Sequence, residues 1–209
     1  RNLMMSNFTK SISQLEKKPF FFFPLATEPE WSLQVQASDF FSQLWAIAMI
    51  ARDLPSGTTL AVKEHIYSLG SRPKDFYNQV KLFKNIEFIK INEIGINLIK
   101  KSIGVITING AAGFEAAVLG KPVIVLSDNC DYDFLDHVQK IKNGEGLKKA
   151  IKLIEDNRID LKKAKKDGRK FLQAVKNSSF NLDNFSNLKR TEVSSKAIVE
   201  MTNSLMRSV

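Results

Sequence analysis

Cysteine is nearly missing. Cys130 stands alone among 209 residues, so no internal disulfide is possible, which fits a reducing, cytoplasmic setting. Histidine is almost as scarce: two His and one Cys cannot build the usual zinc sites, so neither a metal nor a cofactor is expected. No apolar run approaches the ~20 residues that a membrane-spanning helix needs, and PFFFFPL at 19–25 is short and bracketed by proline. The absence of GxxxxGK[ST] excludes P-loop ATPase chemistry, and no GxGxxG follows the first predicted strand, as a dinucleotide oxidoreductase would require. There is no GxSxG elbow, no internal repeat and no signal-peptide pattern. The chain opens with Arg rather than Met, which predicts a piece of something longer.

What is present is an alternation of strands and helices. Phe20 to Leu25, Thr58 to Lys63, Asn85 to Ile91, Gly104 to Ile108 and Pro122 to Leu126 read as five strands. Helices are predicted over Phe40 to Arg52, with Ser38 or Asp39 as cap and Phe41, Leu44, Trp45, Ala48 and Ala51 at helical spacing, then from Pro73, and again around Ile94 to Lys101. This pattern predicts an α/β fold: a Rossmann-like, doubly wound parallel sheet of about five strands with a helical C-terminal extension. Residues 1–18 read as a lead-in helix or linker, 19–176 as the ligand-binding domain, and 177–209 as a connection and C-terminal helix, Thr191 to Met206.

The net charge of +9 is concentrated. Residues 140–176 hold 13 Lys/Arg against five Asp/Glu, a local +8. The helices expected there, Glu145 to Asp156 and Leu161 to Val175, would carry this charge. Such a face attracts anionic lipid, nucleic acid or an acidic partner, but a solvated helix surface is the commoner explanation. Aromatics are not interleaved with the lysines, which argues against specific nucleic-acid recognition. Asp128, Asp131, Asp133 and Asp136 lack calcium-loop spacing and its glycine, and read as a polar loop.

Three strand ends should meet on one edge of the sheet. The first supplies Pro24 to Glu28, the second Lys63, Glu64 and His65, and the fourth Thr107 to Glu115. Asn109-Gly110-Ala111-Ala112-Gly113 forms a small-residue turn ahead of a helix from Phe114 to Leu119 that Gly120 stops. The amides of residues 110–113 and the His65 ring would hold phosphate oxygens, and Glu115 would accept ribose hydroxyls. The set suits a nucleoside mono- or diphosphate. Each piece also has a plainer use: the small residues let a helix pack close, the histidine is structural, Glu115 favours the helix dipole, and Lys63–Glu64 forms a solvated pair.

FFFPLATEPEWSL, LAVKEHIYSLGSRPKDFYNQV and GVITINGAAGFEAAVLGKPVIVL, in that order and spacing, resemble the bacterial capsular polysaccharide biosynthesis family over residues 20–135. That family is similar to Kdo (3-deoxy-manno-octulosonic acid) transferases with the GT-B glycosyltransferase fold. The resemblance implies the C-terminal, donor-binding half of such an enzyme. It further implies a nucleotide-sugar donor, CMP- or UDP-linked, a saccharide or glycolipid acceptor, and an N-terminal GT-B half that brings the catalytic base. His65 falls on the family's His-Pro position and would stabilise the leaving phosphate, although Ile66 replaces the proline. The last helix would cross back onto the N-terminal half, and the basic 140–176 face would rest on the inner surface of the cytoplasmic membrane. A nucleotide-sugar epimerase-like hydrolase and a non-catalytic basic module are the competing expectations.

Overall fold

The computed structural model describes residues 8–15, 17–35, 37–40, 42–141 and 143–179, together with 199, 202 and 203. Seven parallel strands are described: β1 Thr9–Lys10, β2 Phe20–Pro24, β3 Thr59–Lys63, β4 Ile86–Ile89, β5 Gly104–Thr107, β6 Val123–Val125 and β7 Val138–Lys140, in the order β1-β4-β3-β2-β5-β6-β7. The five expected strands form the middle of this sheet. Two short edge strands are added, one of them inside the segment read as a lead-in. Thr9 and Lys10 pair with Phe88 and Ile89, and Val138–Lys140 pair with Val123–Val125.

The run of four phenylalanines is explained by its place. β2 lies between β3 and β5, so both of its faces must be apolar. Phe21 and Phe23 enter one core layer with Ile47, Ile50, Phe76 and Ile151, while Phe20 and Phe22 enter the other with Leu98, Ile99, Ala116 and Ala117. Helices α1 (Ile12–Leu15), α2 (Trp31–Gln34), α3 (Gln43–Asp53), α4 (Phe76–Val80), α5 (Gly95–Lys101) and α6 (Ala111–Val118) fall between the strands up to β6, and α7 (Gly144–Glu155) and α8 (Leu161–Asn177) follow β7. α3, α4 and α7 cover the first layer; α5 and α6 cover the second.

The expected phase of α3 needs correction. Gln43, Ala46, Ile47, Ile50 and Ala51 are its buried residues, and Trp45 is 74% exposed. Ser38 and Asp39 lie in a 3-10 turn, and Ser42 occupies the cap position without a side-chain bond. α7 and α8 start where side-chain oxygens accept end amides: Asn143 from Gly146 N, and Asp160 from Lys162 N and Lys163 N.

α8 crosses the end of α6 at backbone contact distance. A Cβ on Gly168 would stand 2.5 Å from the carbonyl oxygens of both Ala117 and Val118, and one on Gly120, whose φ is +67°, would stand 2.4 Å from Lys165 N. Only glycine fits either position. The expected connection from 177 and the helix Thr191 to Met206 lie outside the described residues, apart from 177–179, 199, 202 and 203; the last three are helical.

Candidate functional site

β2, β3 and β4 step outward in one direction, and β5, β6 and β7 in the other. The chain therefore switches direction between β2 and β5. Loops leaving the C-terminal ends of these two strands diverge and open a crevice. A cavity of about 460 Å³ lies there, lined from one side by Pro24 to Thr27, Glu30 and Gln43, and from the other by Thr107 to Ala112, with His65 also in its wall. That volume is in the range of small-molecule sites.

Of the residues singled out in the sequence, Pro24, His65, Thr107, Asn109, Gly110, Ala111 and Ala112 meet in this cavity. Glu28, Lys63, Glu64, Gly113 and Glu115 do not line it. The helix also starts earlier than expected, at Ala111 rather than Phe114, because Ala111 and Ala112 are good helix formers. Gly113 N is consequently engaged by Gly110 O at 3.0 Å. Gly110 occupies the cap with no side-chain bond, so the first-turn amides of Ala111 and Ala112 have no acceptor within the helix. They are donors at the positive end of the helix dipole, suited to an anion. Gly113 serves packing: a Cβ there would stand 2.7 Å from Thr107 Cγ2 and 2.3 Å from the Tyr132 hydroxyl oxygen. Glu115 is exposed, one turn further along α6.

Lys63 and Glu64 are not a solvated pair. Glu64 has a fully buried side chain, held by Arg72 through Nε (2.8 Å) and Nη2 (2.7 Å) and by the Tyr77 hydroxyl (2.8 Å). Its Oε1 also accepts from His65 N at 2.7 Å. Arg72 donates a further bond from Nη2 to Ala26 O at 2.6 Å, and its Nη1 lies 3.1 Å from Glu28 Oε1 as an ion-pair contact rather than a well-directed hydrogen bond. Gln43 bonds both the amide and the carbonyl of Ala26 and also donates to Glu28. The guanidinium lies 5.4 Å over the Phe76 ring.

This network accounts for KEH and RPxxFY occurring together. Glu64, Arg72, Phe76 and Tyr77 tie the β3 exit to the β2 loop, and His65 is fixed at the cavity as a result. Burial and the neighbouring Glu64 push the Tyr77 hydroxyl well above the usual tyrosine value. Burial lowers the Lys63 ammonium, against the pull of Glu64 and Glu93.

Sequence reasoning missed Gln43, Glu30 and Arg72. Glu30 is the carboxylate that lines the cavity, and its Oε2 accepts from Thr27 Oγ1 at 3.0 Å. The spacing of Arg72 and Tyr77 from Glu64 was visible, but a contact across a loop has no periodic signature. No lysine or arginine lines the cavity among the described residues. Nor do these residues contain a cluster of three metal-ligating side chains.

The arrangement can hold one anion between the α6 amides and an imidazole, with polar groups at hand for hydroxyls. Residues 4–135 match the family described as "Capsule polysaccharide biosynthesis protein". No curated protein matches the chain. Among solved structures, the chain is similar to the KpsC β-Kdo 2,7 transferase of Thermosulfurimonas dismutans at 17% identity and TM-score 0.50, covering 64% of this chain and 45% of that one. It is also similar to the UDP-GlcNAc 2-epimerase of Methanocaldococcus jannaschii at 19% identity and TM-score 0.52, covering 76% and 45%. S. aureus MnaA, in a structure with UDP, matches at 18% identity and TM-score 0.53, covering 91% and 52%. The chain spans about half the length of these neighbours, and at such identities the likeness is one of fold: Rossmann-like and GT-B-like.

Proposed function

Because this chain belongs to the capsule polysaccharide biosynthesis family, whose match covers residues 4–135, we propose that it is the donor-binding half of a glycosyltransferase of capsular or surface polysaccharide synthesis. The observation that carries this reading is the convergence of His65 with the uncapped start of α6 on one cavity at the sheet's switch point. In the proposed reaction a glycosyl group leaves a nucleotide phosphate, and charge builds on the phosphate oxygens as the bond breaks. Donors already aimed at that position stabilise the charge without reorganising. The Ala111 and Ala112 amides and the His65 ring are those donors, and the Glu64–Arg72 network holds the His65 backbone in place. The acceptor's proton is taken by a base on an N-terminal half, so this chain alone binds donor but does not turn it over. Glu115, one turn along α6, accepts ribose hydroxyls.

Charge selects among donors. With no lysine or arginine among the described residues of the cavity wall and Glu30 present, the site suits the single charge of a nucleoside monophosphate ester. CMP-linked acid sugars such as CMP-Kdo, whose second charge lies on the sugar carboxylate, place one phosphate charge at the α6 amides where UDP sugars place two, and so fit better there. Calorimetric titration with CMP, CDP and UDP tests this: CMP binds most tightly, and His65→Ala weakens it about 10- to 150-fold, the range for a hydrogen bond to a charged group. Failure of all three to bind at millimolar concentration refutes the reading.

The epimerase alternative has the fold in its favour. It needs several acid–base carboxylates, whereas Glu30 is the one carboxylate among the described lining residues. A UDP-sugar turnover assay separates the two. The lysines of α7 and α8 fit the same setting, against anionic lipid on the cytoplasmic face of the membrane. Salt-sensitive sedimentation with phosphatidylglycerol vesicles, and none with neutral ones, is the corresponding expectation.

A further inference from the structure

The cavity wall has an imidazole and amides for a phosphate, but no tyrosine, tryptophan or phenylalanine among its described lining residues. A nucleotide held there would find no aromatic stacking partner for its base in that wall. The 3-10 turn Ile66–Ser68 follows His65, a residue of the cavity wall, directly. Tyr67 in this turn is 86% exposed. Its ring centroid lies 5.4 Å from that of His65, with the planes tilted by 38°. The turn is anchored: Ser68 is buried and its amide bonds His65 O at 2.9 Å, while His65 N is bonded by the buried Glu64. An aromatic ring so exposed, on a backbone so constrained, presents an apolar face to solvent beside His65.

Resting on the nucleotide reading above, we propose that Tyr67 is a donor-binding residue that stacks against the nucleotide's base while His65 engages the phosphate. Every base has a π-face, so Tyr67 supplies affinity for the nucleoside part without reading its edge. The neighbouring Ile66, also exposed, widens the apolar surface. A covering protein domain is the other class of partner for this surface, and the test below separates the two.

Tyr67 lies at the surface, so substitutions there leave the fold intact. The experiment compares the parent chain with Tyr67→Leu and Tyr67→Phe, titrated with CMP and with ribose 5-phosphate and followed by NMR. Tyr67→Leu should weaken CMP about 5- to 150-fold, the range for losing one base–aromatic stack, and leave ribose 5-phosphate within about twofold. Tyr67→Phe should keep CMP binding. The H5 and H6 signals of bound CMP should shift upfield in the parent and in Tyr67→Phe, and not in Tyr67→Leu. If the parent binds CMP and Tyr67→Leu binds it equally well, the stacking role is overturned while the nucleotide reading stands; the tyrosine then faces a protein partner. An equal loss of ribose 5-phosphate would also overturn it, by assigning Tyr67 to the shape of the phosphate site. If the parent binds neither compound, the nucleotide reading itself fails.

Discussion

Replacing Arg72 with methionine isolates the support beneath the site. The side chains of Arg72 and Glu64 are 1% and 0% exposed, so the substitution strands a carboxylate in the interior. Glu64 would keep only His65 N and the Tyr77 hydroxyl as donors, and Ala26 O would lose one of its two side-chain partners. Breaking a buried pair on one side costs about 3–5 kcal/mol. For a domain of this size that lowers Tm by roughly 6–20 °C. Urea unfolding should show a lower midpoint with an unchanged m-value, because the exposed area on unfolding stays the same. Glu64→Gln/Arg72→Met should be less destabilised than the two single changes summed, since the double variant buries no unpaired charge. CMP affinity should fall in Arg72→Met as His65 is released, whereas Lys74→Met, at an exposed neighbour, should change neither quantity. An Arg72→Met protein within about 1 kcal/mol of the parent would refute the argument, because so small a loss is what a surface pair gives.

Two further outcomes follow from packing and from protons. Gly168→Ala drives a methyl group into the Ala117 and Val118 carbonyls at 2.5 Å, so about 1–3 kcal/mol of stability should be lost; a parent-like Tm in differential scanning fluorimetry would contradict the α6–α8 contact. Tyr77 and Tyr132 are both held above the usual tyrosine value of 10, chiefly by burial. The folded chain therefore keeps protons that the unfolded chain releases, so stability is full below pH 10 and falls as pH rises further. Burial lowers Lys63 and Lys121, which works the other way and softens the fall. Tyr132→Phe should flatten the loss measured by urea melts between pH 9.5 and 11 (about the range where free tyrosine titrates); an unchanged slope would show that the phenol is not the group responsible.

The central strands were legible because each is a continuous apolar run long enough to stand out. β1 and β7 were not, since two or three residues at a sheet edge carry no period. The phase of α3 was misread for a specific reason: hydrophobicity favours Trp45 over Gln43 as the inward residue, but Gln43 is needed beneath Ala26 as donor and acceptor at once. The phosphate-type turn and His65 were legible as neighbours because strand order in a parallel sheet puts their loops on one edge. Glu64 was read as a site residue from its place at the C-terminal end of the second strand. Its side chain points away from the cavity into a network that also requires Arg72 and Tyr77, and such a tertiary contact leaves no mark in local pattern. The α6 start shifted because alanine propensity extended the helix back to the cap glycine.

The account rests on a phosphate being held between the first amides of α6 and His65. Amide and imidazole NMR of the labelled chain, titrated with CMP, tests this most directly. The account predicts saturable shifts at Gly110, Ala111, Ala112 and His65, and in His65→Ala the shifts of Gly110, Ala111 and Ala112 should need about 10- to 150-fold more CMP to saturate. Shifts confined to the opposite edge of the sheet, around Lys121 and Pro122 in the cleft they share with Ser102 and Asn157, or no shifts at millimolar CMP, would contradict it.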